Sequence, residues 1–223
     1  MIKLVIFDWD DVFTFGSTNG YIACYHQALL EVGVELSPEE ELKRIKAKWG
    51  STARSEISEL LKEKPELIDK ATDIYEQILM GDTFVNCLEF INGGNKLIEQ
   101  LSTKYKLAIA SGINPRLLQE KIFSKFGVKN LFSEILTVYD IDDPSHAKPH
   151  PYLLLEIMRR LDVKPEETIM VGDARGDVQM AQNAGVIPIV VLTGHLNKTE
   201  AESLGVKYII KDVNELDSAL SNI

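Results

Sequence analysis

The spacing of apolar positions changes character twice along the chain. Ile2-Lys3-Leu4-Val5-Ile6-Phe7 is a run of branched and aromatic residues broken only by Lys3. Its length and composition predict a strand buried on both faces, the kind found in parallel sheets. The run ends in an acidic turn, Asp8-Trp9-Asp10-Asp11. From there to about Cys87 the period is helical. Apolar residues recur at helical spacing over 21–32, with Gly33 as a C-terminal cap. Ser37-Pro38-Glu39-Glu40 is a capping box with proline at the first helical position, and Leu42, Ile45 and Trp49 follow at core spacing. A third helix starts near Thr52 and turns Ile57, Leu60 and Leu61 inward. Pro65 separates it from a longer helix striped by Leu67, Ile68, Ala71, Ile74, Tyr75, Ile78 and Leu79.

From Asn92 onward short apolar runs alternate with helical patterns. Strands are predicted over 107–110, 134–138, 168–171, 186–191 and 208–210, and helices over 96–101, 115–126, 152–161, 178–184 and 214–220. This alternation implies right-handed crossovers and a parallel sheet with helices on both faces. The first strand belongs to that sheet, so the helical stretch interrupts an α/β domain. The expected division is 1–16 with 88–223 as the α/β part and 17–87 as a helical insert.

A length of 223 residues is enough for one core plus a smaller domain. The net charge of -10 argues against a partner recognised through a phosphate backbone, which would need a basic face. Asp8 breaks the first apolar run, and nothing later approaches the ~18 uninterrupted apolar residues of a membrane span. Neither a signal peptide nor membrane attachment is therefore expected. Cys24 and Cys87 fit no metal spacing and read as reduced thiols of a cytoplasmic protein.

The chemistry starts at the acidic turn. If the backbone stays extended there, Asp8 and Asp10 project to one side. Two carboxylates about 4 Å apart repel by roughly 4 kcal/mol at an effective dielectric near 20, so a cation, a proton or water is needed between them. Magnesium is the simplest answer. Ser111, Lys148 and Asp173 also fall beyond the carboxyl ends of predicted strands, the edge where open α/β sheets bind ligands.

Four segments, Asp8-Trp9-Asp10, Ser111-Gly112, Lys148-Pro149-His150-Pro151 and Gly172-Asp173-Ala174-Arg175-Gly176-Asp177, resemble the four motifs of the haloacid dehalogenase superfamily, in its order. The resemblance extends through the core and is nearest to the capped, phosphoglycolate phosphatase-like branch. It implies a Rossmann-like core with a small α-helical cap inserted after the first strand. It also implies a magnesium-dependent phosphatase, a phosphoric monoester hydrolase acting on a small phosphorylated metabolite such as phosphoglycolate, a sugar phosphate, a nucleotide or pyrophosphate, as a monomer or homodimer. In family terms Asp8 is the nucleophile that forms an aspartyl-phosphate. Asp10 protonates the leaving oxygen and then activates water. Ser111, Gly112 and Lys148 bind the transferring phosphoryl group, and Lys148 offsets the charge around Asp8. Asp8, Asp173 and the backbone carbonyl of Asp10 hold magnesium, while Asp177 supports Lys148 or a metal-bound water.

An acid at position 10 points to phosphate esters or anhydrides rather than to carbon–halogen or phosphonate cleavage. The alternatives are a β-phosphoglucomutase-like phosphomutase and a catalytically silent binding protein. Two positions depart from the family pattern: Asp11 and Ala147 stand where glycine is usual. Asp11 is expected to point away from the ion. In the insert, Trp49-Gly50-Ser51-Thr52-Ala53-Arg54 lies where the family places a substrate-reaching loop, and Arg54 is the candidate for binding a second anionic group. Trp49 is expected in the core of the insert. His26, His146, His150 and His195 show no ligand spacing and are expected to be structural or exposed, and Asp140-Ile141-Asp142-Asp143 reads as a solvated loop.

Overall fold

The computed structural model describes residues 1–48 and 52–223, so the expected placement of Trp49, Gly50 and Ser51 lies outside the described residues. The chain separates into two compact units, one of Met1–Phe15 with Glu89–Ile223 and the other of Gly16–Leu88.

Eight strands belong to the first unit: β1 (Leu4–Phe7), β2 (Thr14–Phe15), β3 (Glu89–Phe90), β4 (Lys106–Ser111), β5 (Glu134–Thr137), β6 (Thr168–Gly172), β7 (Ile187–Val191) and β8 (Tyr208–Ile210). Six of them form one parallel sheet in the order β5-β4-β1-β6-β7-β8. β1 is central, with Phe7 in register with Ile109 on one side and Val171 on the other. All four of its side chains are buried, which is why its sequence lacks the alternation of a half-exposed strand. β2 and β3 pair antiparallel with each other. Two-residue strands carry too little periodicity to be read from sequence.

The second unit holds α1 (Ser17–Glu31), α2 (Pro38–Lys48), α3 (Ala53–Leu60), α4 (Ile68–Leu79) and the short α5 (Thr83–Asn86). Its described residues include no strand. Tyr25 of α1 stacks on Tyr75 of α4 at 4.3 Å between ring centroids, and its hydroxyl donates to buried Glu56 of α3. Arg44 of α2 reaches the carbonyl of Leu60 at 2.9 Å. Thr52 caps α3 by accepting from the Ser55 amide.

Around the sheet lie α6 (Gly94–Ser102), α7 (Phe123–Phe126), α8 (Tyr152–Leu161), α9 (Arg175–Ala184), α10 (Lys198–Ser203) and α11 (Leu216–Leu220). The helix predicted over 115–126 is wound as a π-helix over Leu117–Ile122 before α7 begins. α10 went unpredicted because it has little apolar pattern; Asn197 caps it by accepting from the Glu200 amide. On one face of the sheet Leu4, Ile6, Ala108, Ala110, Leu136 and Met170 pack with Leu153, Leu154, Ile157 and Met158 of α8 and Met180 and Ala181 of α9. Full burial of side chains of this size stabilises by about 1.5–3 kcal/mol each, so this face anchors the strand ends that follow. No helix among the described residues is long and apolar enough to cross a membrane.

Candidate functional site

The acidic turn after β1 is fixed by Trp9. This side chain is fully buried, with its ring centroid 5.0 Å from Phe13, 5.1 Å from Phe123, 6.1 Å from Phe90 and 6.2 Å from Phe132. With Trp9 locked inward, the carboxylates on either side of it are held apart from the apolar packing. Asp8 Oδ1 accepts from the Trp9 amide at 2.6 Å, and its Oδ2 pairs with Lys148 Nζ at 2.7 Å. Asp10 accepts from the Thr14 hydroxyl at 3.3 Å.

Lys148 arrives from the long connection between β5 and α8. Asn183 of α9 donates to the carbonyl of Pro149 at 3.0 Å, tying that connection to the helix that carries Asp177. Lys148 Nζ lies 2.7 Å from Asp177 Oδ1 as well as 2.7 Å from Asp8. Burial works against its charge, but the carboxylates of Asp177 and Asp8 outweigh it, and the Lys148 pKa is raised. Asp177 sits in the first turn of α9 and accepts from the Ala174 amide at 3.1 Å. Burial pushes its carboxyl upward while Lys148 pulls the other way. This close approach needs Gly172 at the end of β6, because a Cβ there would overlap the Asp177 carboxyl.

Asp173, directly after β6, is nearly inaccessible at 3% exposure. Oxygens of Asp8, Asp173 and Asp177 lie within 4.8 Å of one another. An all-oxygen group of this compactness suits a hard divalent cation. Ser111 ends β4 with its side chain buried and accepts from the Ile113 amide at 3.4 Å. The space a side chain at Gly112 would take is open.

The structure thus brings Asp8, Lys148, Asp173 and Asp177 into one cluster and sets Asp10, Ser111 and Gly112 at the same edge of the sheet. Arg54 lies in the helical unit, exposed, with Nε and Nη2 donating to Asp69 at 3.1 and 2.7 Å. Asp140 accepts from the Thr137 amide and hydroxyl at 2.8 and 3.1 Å and so closes a turn.

Asp11, expected to point away from the ion, lies beside Asp173. It adopts φ 55, the left-handed region, and its carboxylate lies 3.9 Å from His195 Nδ1. Asp11, Asp173 and His195 form a second group of potential ligand atoms within 4.8 Å. Burial and the neighbouring Asp173 raise the Asp11 pKa. His195, read from sequence as structural or exposed, is indeed mostly exposed at 64%, yet its Nδ1 is 2.9 Å from Asp173 Oδ2. The available signal was its position just after β7, at the same sheet edge as the other polar residues.

A sequence profile of the haloacid dehalogenase-like hydrolases matches residues 2–185. The chain is 31% identical, over 97% of its length and 96% of the relative's, to a glyceraldehyde 3-phosphate phosphatase of Methanothermobacter thermautotrophicus. It is 28% identical, over 96% of its length and 95% of the relative's, to the pyrophosphatase PpaX of Oceanobacillus iheyensis. Among solved structures, a predicted phosphoglycolate phosphatase from Haemophilus somnus superposes with a TM-score of 0.80 at 20% identity, covering 98% of each chain. The profile spans β1 through α9, the stretch that carries all four polar segments at the strand ends, and on that match the chain belongs to the haloacid dehalogenase-like hydrolases.

Proposed function

We propose that this hydrolase is a magnesium-dependent phosphatase that removes the phosphoryl group from a small phosphate monoester through an aspartyl-phosphate on Asp8. The observation that carries the reading is Lys148 Nζ, 2.7 Å from both Asp8 and Asp177, inside a cluster of carboxylates at the carboxyl edge of the sheet. A lysine so held keeps its positive charge beside a carboxylate that must approach an anionic phosphoryl group. The family match and the relatives named as phosphatases support the same reaction class.

In this reading an Asp8 oxygen attacks phosphorus and the bond to the leaving oxygen breaks. Asp10 gives that oxygen its proton, then takes a proton from the water that attacks phosphorus and frees Asp8. Ser111, the Gly112 backbone and Lys148 hold the transferring oxygens. Asp8, Asp173 and the backbone carbonyl of Asp10 are the groups we assign to magnesium, and Asp177 positions Lys148. When bound, magnesium would neutralise charge on the phosphoryl oxygens. The unit 17–87 serves as the cap, and Arg54 is its group for a second anionic part of the substrate. Its present pair with Asp69 is exposed and therefore readily exchanged.

The test is phosphate release from an aryl phosphate with magnesium, with chelator, and by an Asp8→Ala variant. Release should stop with chelator and fall by at least about 10⁴-fold in the variant, the scale set by removal of other enzymes' nucleophiles. A panel of triose phosphate, phosphoglycolate, a nucleotide and pyrophosphate then identifies the substrate. Release that survives Asp8→Ala would sink the covalent mechanism, and turnover that depends on a sugar bisphosphate would assign a mutase instead.

A further inference from the structure

The segment after β7, Thr193-Gly194-His195-Leu196, touches both acidic turns at several points. Thr193 donates through Oγ1 to the carbonyl of Asp11 at 2.5 Å. The Leu196 amide donates to the carbonyl of Asp173 at 2.9 Å, which fixes that residue's backbone. The His195 amide and its ring Nδ1 both lie 2.9 Å from the same side-chain oxygen, Asp173 Oδ2. An ionised carboxylate only accepts, so Nδ1 carries the hydrogen in that contact. Gly194 rests against the carboxyl so closely that a Cβ at this position would overlap it. Asp173 Oδ1, by contrast, meets no hydrogen-bond donor among the described residues.

We infer that this segment is a clasp for Asp173 and that His195 is its positioning residue. With Oδ2 held by two donors from one residue, the carboxylate cannot rotate freely, and Oδ1 is the atom it offers to a cation. Asp173 would therefore bind as a single-oxygen ligand. The inference rests on the proposal that Asp173 is a magnesium residue. It adds a residue outside the four polar segments, and Asp11 belongs to the same arrangement. At 3.9 Å from the same His195 Nδ1, its carboxylate favours the imidazole staying where Asp173 needs it.

The chemistry predicts how strongly the clasp matters. Removing a hydrogen-bond partner of a metal-binding group typically weakens metal affinity by about 10–100-fold. His195 is mostly exposed, so replacing it should leave the fold intact. An asparagine there can place its side-chain amide N–H close to where Nδ1–H stands, whereas alanine cannot.

The experiment is calorimetric titration of Mg²⁺ into the metal-free full chain, together with thermal melting, for wild type, Asp173→Asn, His195→Ala and His195→Asn. Asp173→Asn should remove binding. His195→Ala should weaken Mg²⁺ at least about tenfold with an unchanged melting temperature, and His195→Asn should recover most of the affinity. Phosphatase turnover lost in His195→Ala should return as Mg²⁺ is raised to saturation. Wild-type affinity in His195→Ala would overturn the inference while leaving the phosphatase reading standing. Loss of a second equivalent of Mn²⁺ in His195→Ala, with the first retained, would also overturn it by making His195 a ligand. A wild-type chain that takes up no Mg²⁺ would remove the metal-dependent reading, and the clasp with it.

Discussion

Arg44 and Lys148 each bridge two carboxylates, and their surroundings differ. Arg44, in the helical unit, pairs with Glu40 at 2.8 Å and Glu63 at 2.6 Å, and those side chains are 34% and 62% exposed. Lys148, in the sheet unit, pairs with Asp8 and Asp177 at 2.7 Å each, and those are 15% and 2% exposed. Around Arg44 the charges are solvated on one side, and Nη1 also donates to the Leu60 carbonyl. The arrangement closes on itself and holds α2 to the end of α3. Around Lys148 it does not close, because Asp173 adds a third, buried carboxylate with one oxygen left over. A cluster short of positive charge is a poor way to stabilise a fold and a good way to receive a cation and a phosphoryl group.

The largest expected effect therefore comes from removing Lys148. Lys148→Met leaves the buried Asp177 and the mostly enclosed Asp8 without their shared partner, a change that costs about 3–5 kcal/mol when one member of a buried pair is deleted. At roughly 2–4 °C per kcal/mol for a chain of this size, the melting temperature should fall by about 6–20 °C. Adding Asp177→Asn should recover part of that loss, because the repulsion between the two acids is relieved. If Lys148→Met melts with the wild type, the cluster is not charge-stressed and the contrast with Arg44 is wrong.

Arg44→Met should be milder. Methionine keeps part of the apolar stem, and Glu40 and Glu63 can return to water. What is lost is the bond to the buried Leu60 carbonyl, about 1 kcal/mol, so a drop of roughly 2–4 °C is expected by calorimetry. A loss as large as that of Lys148→Met would mean that exposure of the partner acids does not decide the cost.

The same contrast bears on what could be read from sequence. The polar residues at the strand ends of the sheet unit were legible because each follows an apolar run that reads as a buried strand. Asp8 after β1, Ser111 at the end of β4 and Asp173 after β6 announce themselves by position. The pair of Lys148 with Asp177 was legible only through family resemblance, since nothing in spacing brings residues 148 and 177 together. His195 escaped because a lone histidine in a loop carries no periodic signal, and its bond to Asp173 depends on how the segment after β7 folds back. At Asp11 the positive φ takes the chain off the extended path that the alternation rule assumes, which nothing in the residue order announces. In the helical unit the stripes placed the helices, but the pairing of Tyr25 with Glu56 comes from three helices packing together and is invisible along any one of them.

The smallest effect is expected where the ratio of charges is reversed. Glu156 on α8 accepts from two arginines, Arg159 at 2.8 Å and Arg160 at 2.8 Å, which are 70% and 40% exposed, and Arg160 also reaches Glu134 at 3.3 Å. Their hydrogen bonds, that of Arg159 first, hold the Glu156 carboxyl down to about 2. A depressed carboxylate contributes stability above its unfolded pKa of about 4.3, and that contribution fades as pH falls through the folded value. Because the pair is screened by water, Glu156→Gln should shift the melting temperature by no more than roughly 2 °C at neutral pH. The difference from wild type should stay constant between about pH 5 and 8, shrink below about pH 4, and vanish near pH 2. It should also shrink with added salt, which screens exposed pairs far more than the buried contacts of Lys148. If Glu156→Gln instead cost as much as Lys148→Met and ignored salt, burial would not be what separates a charge that completes the fold from one that prepares a site.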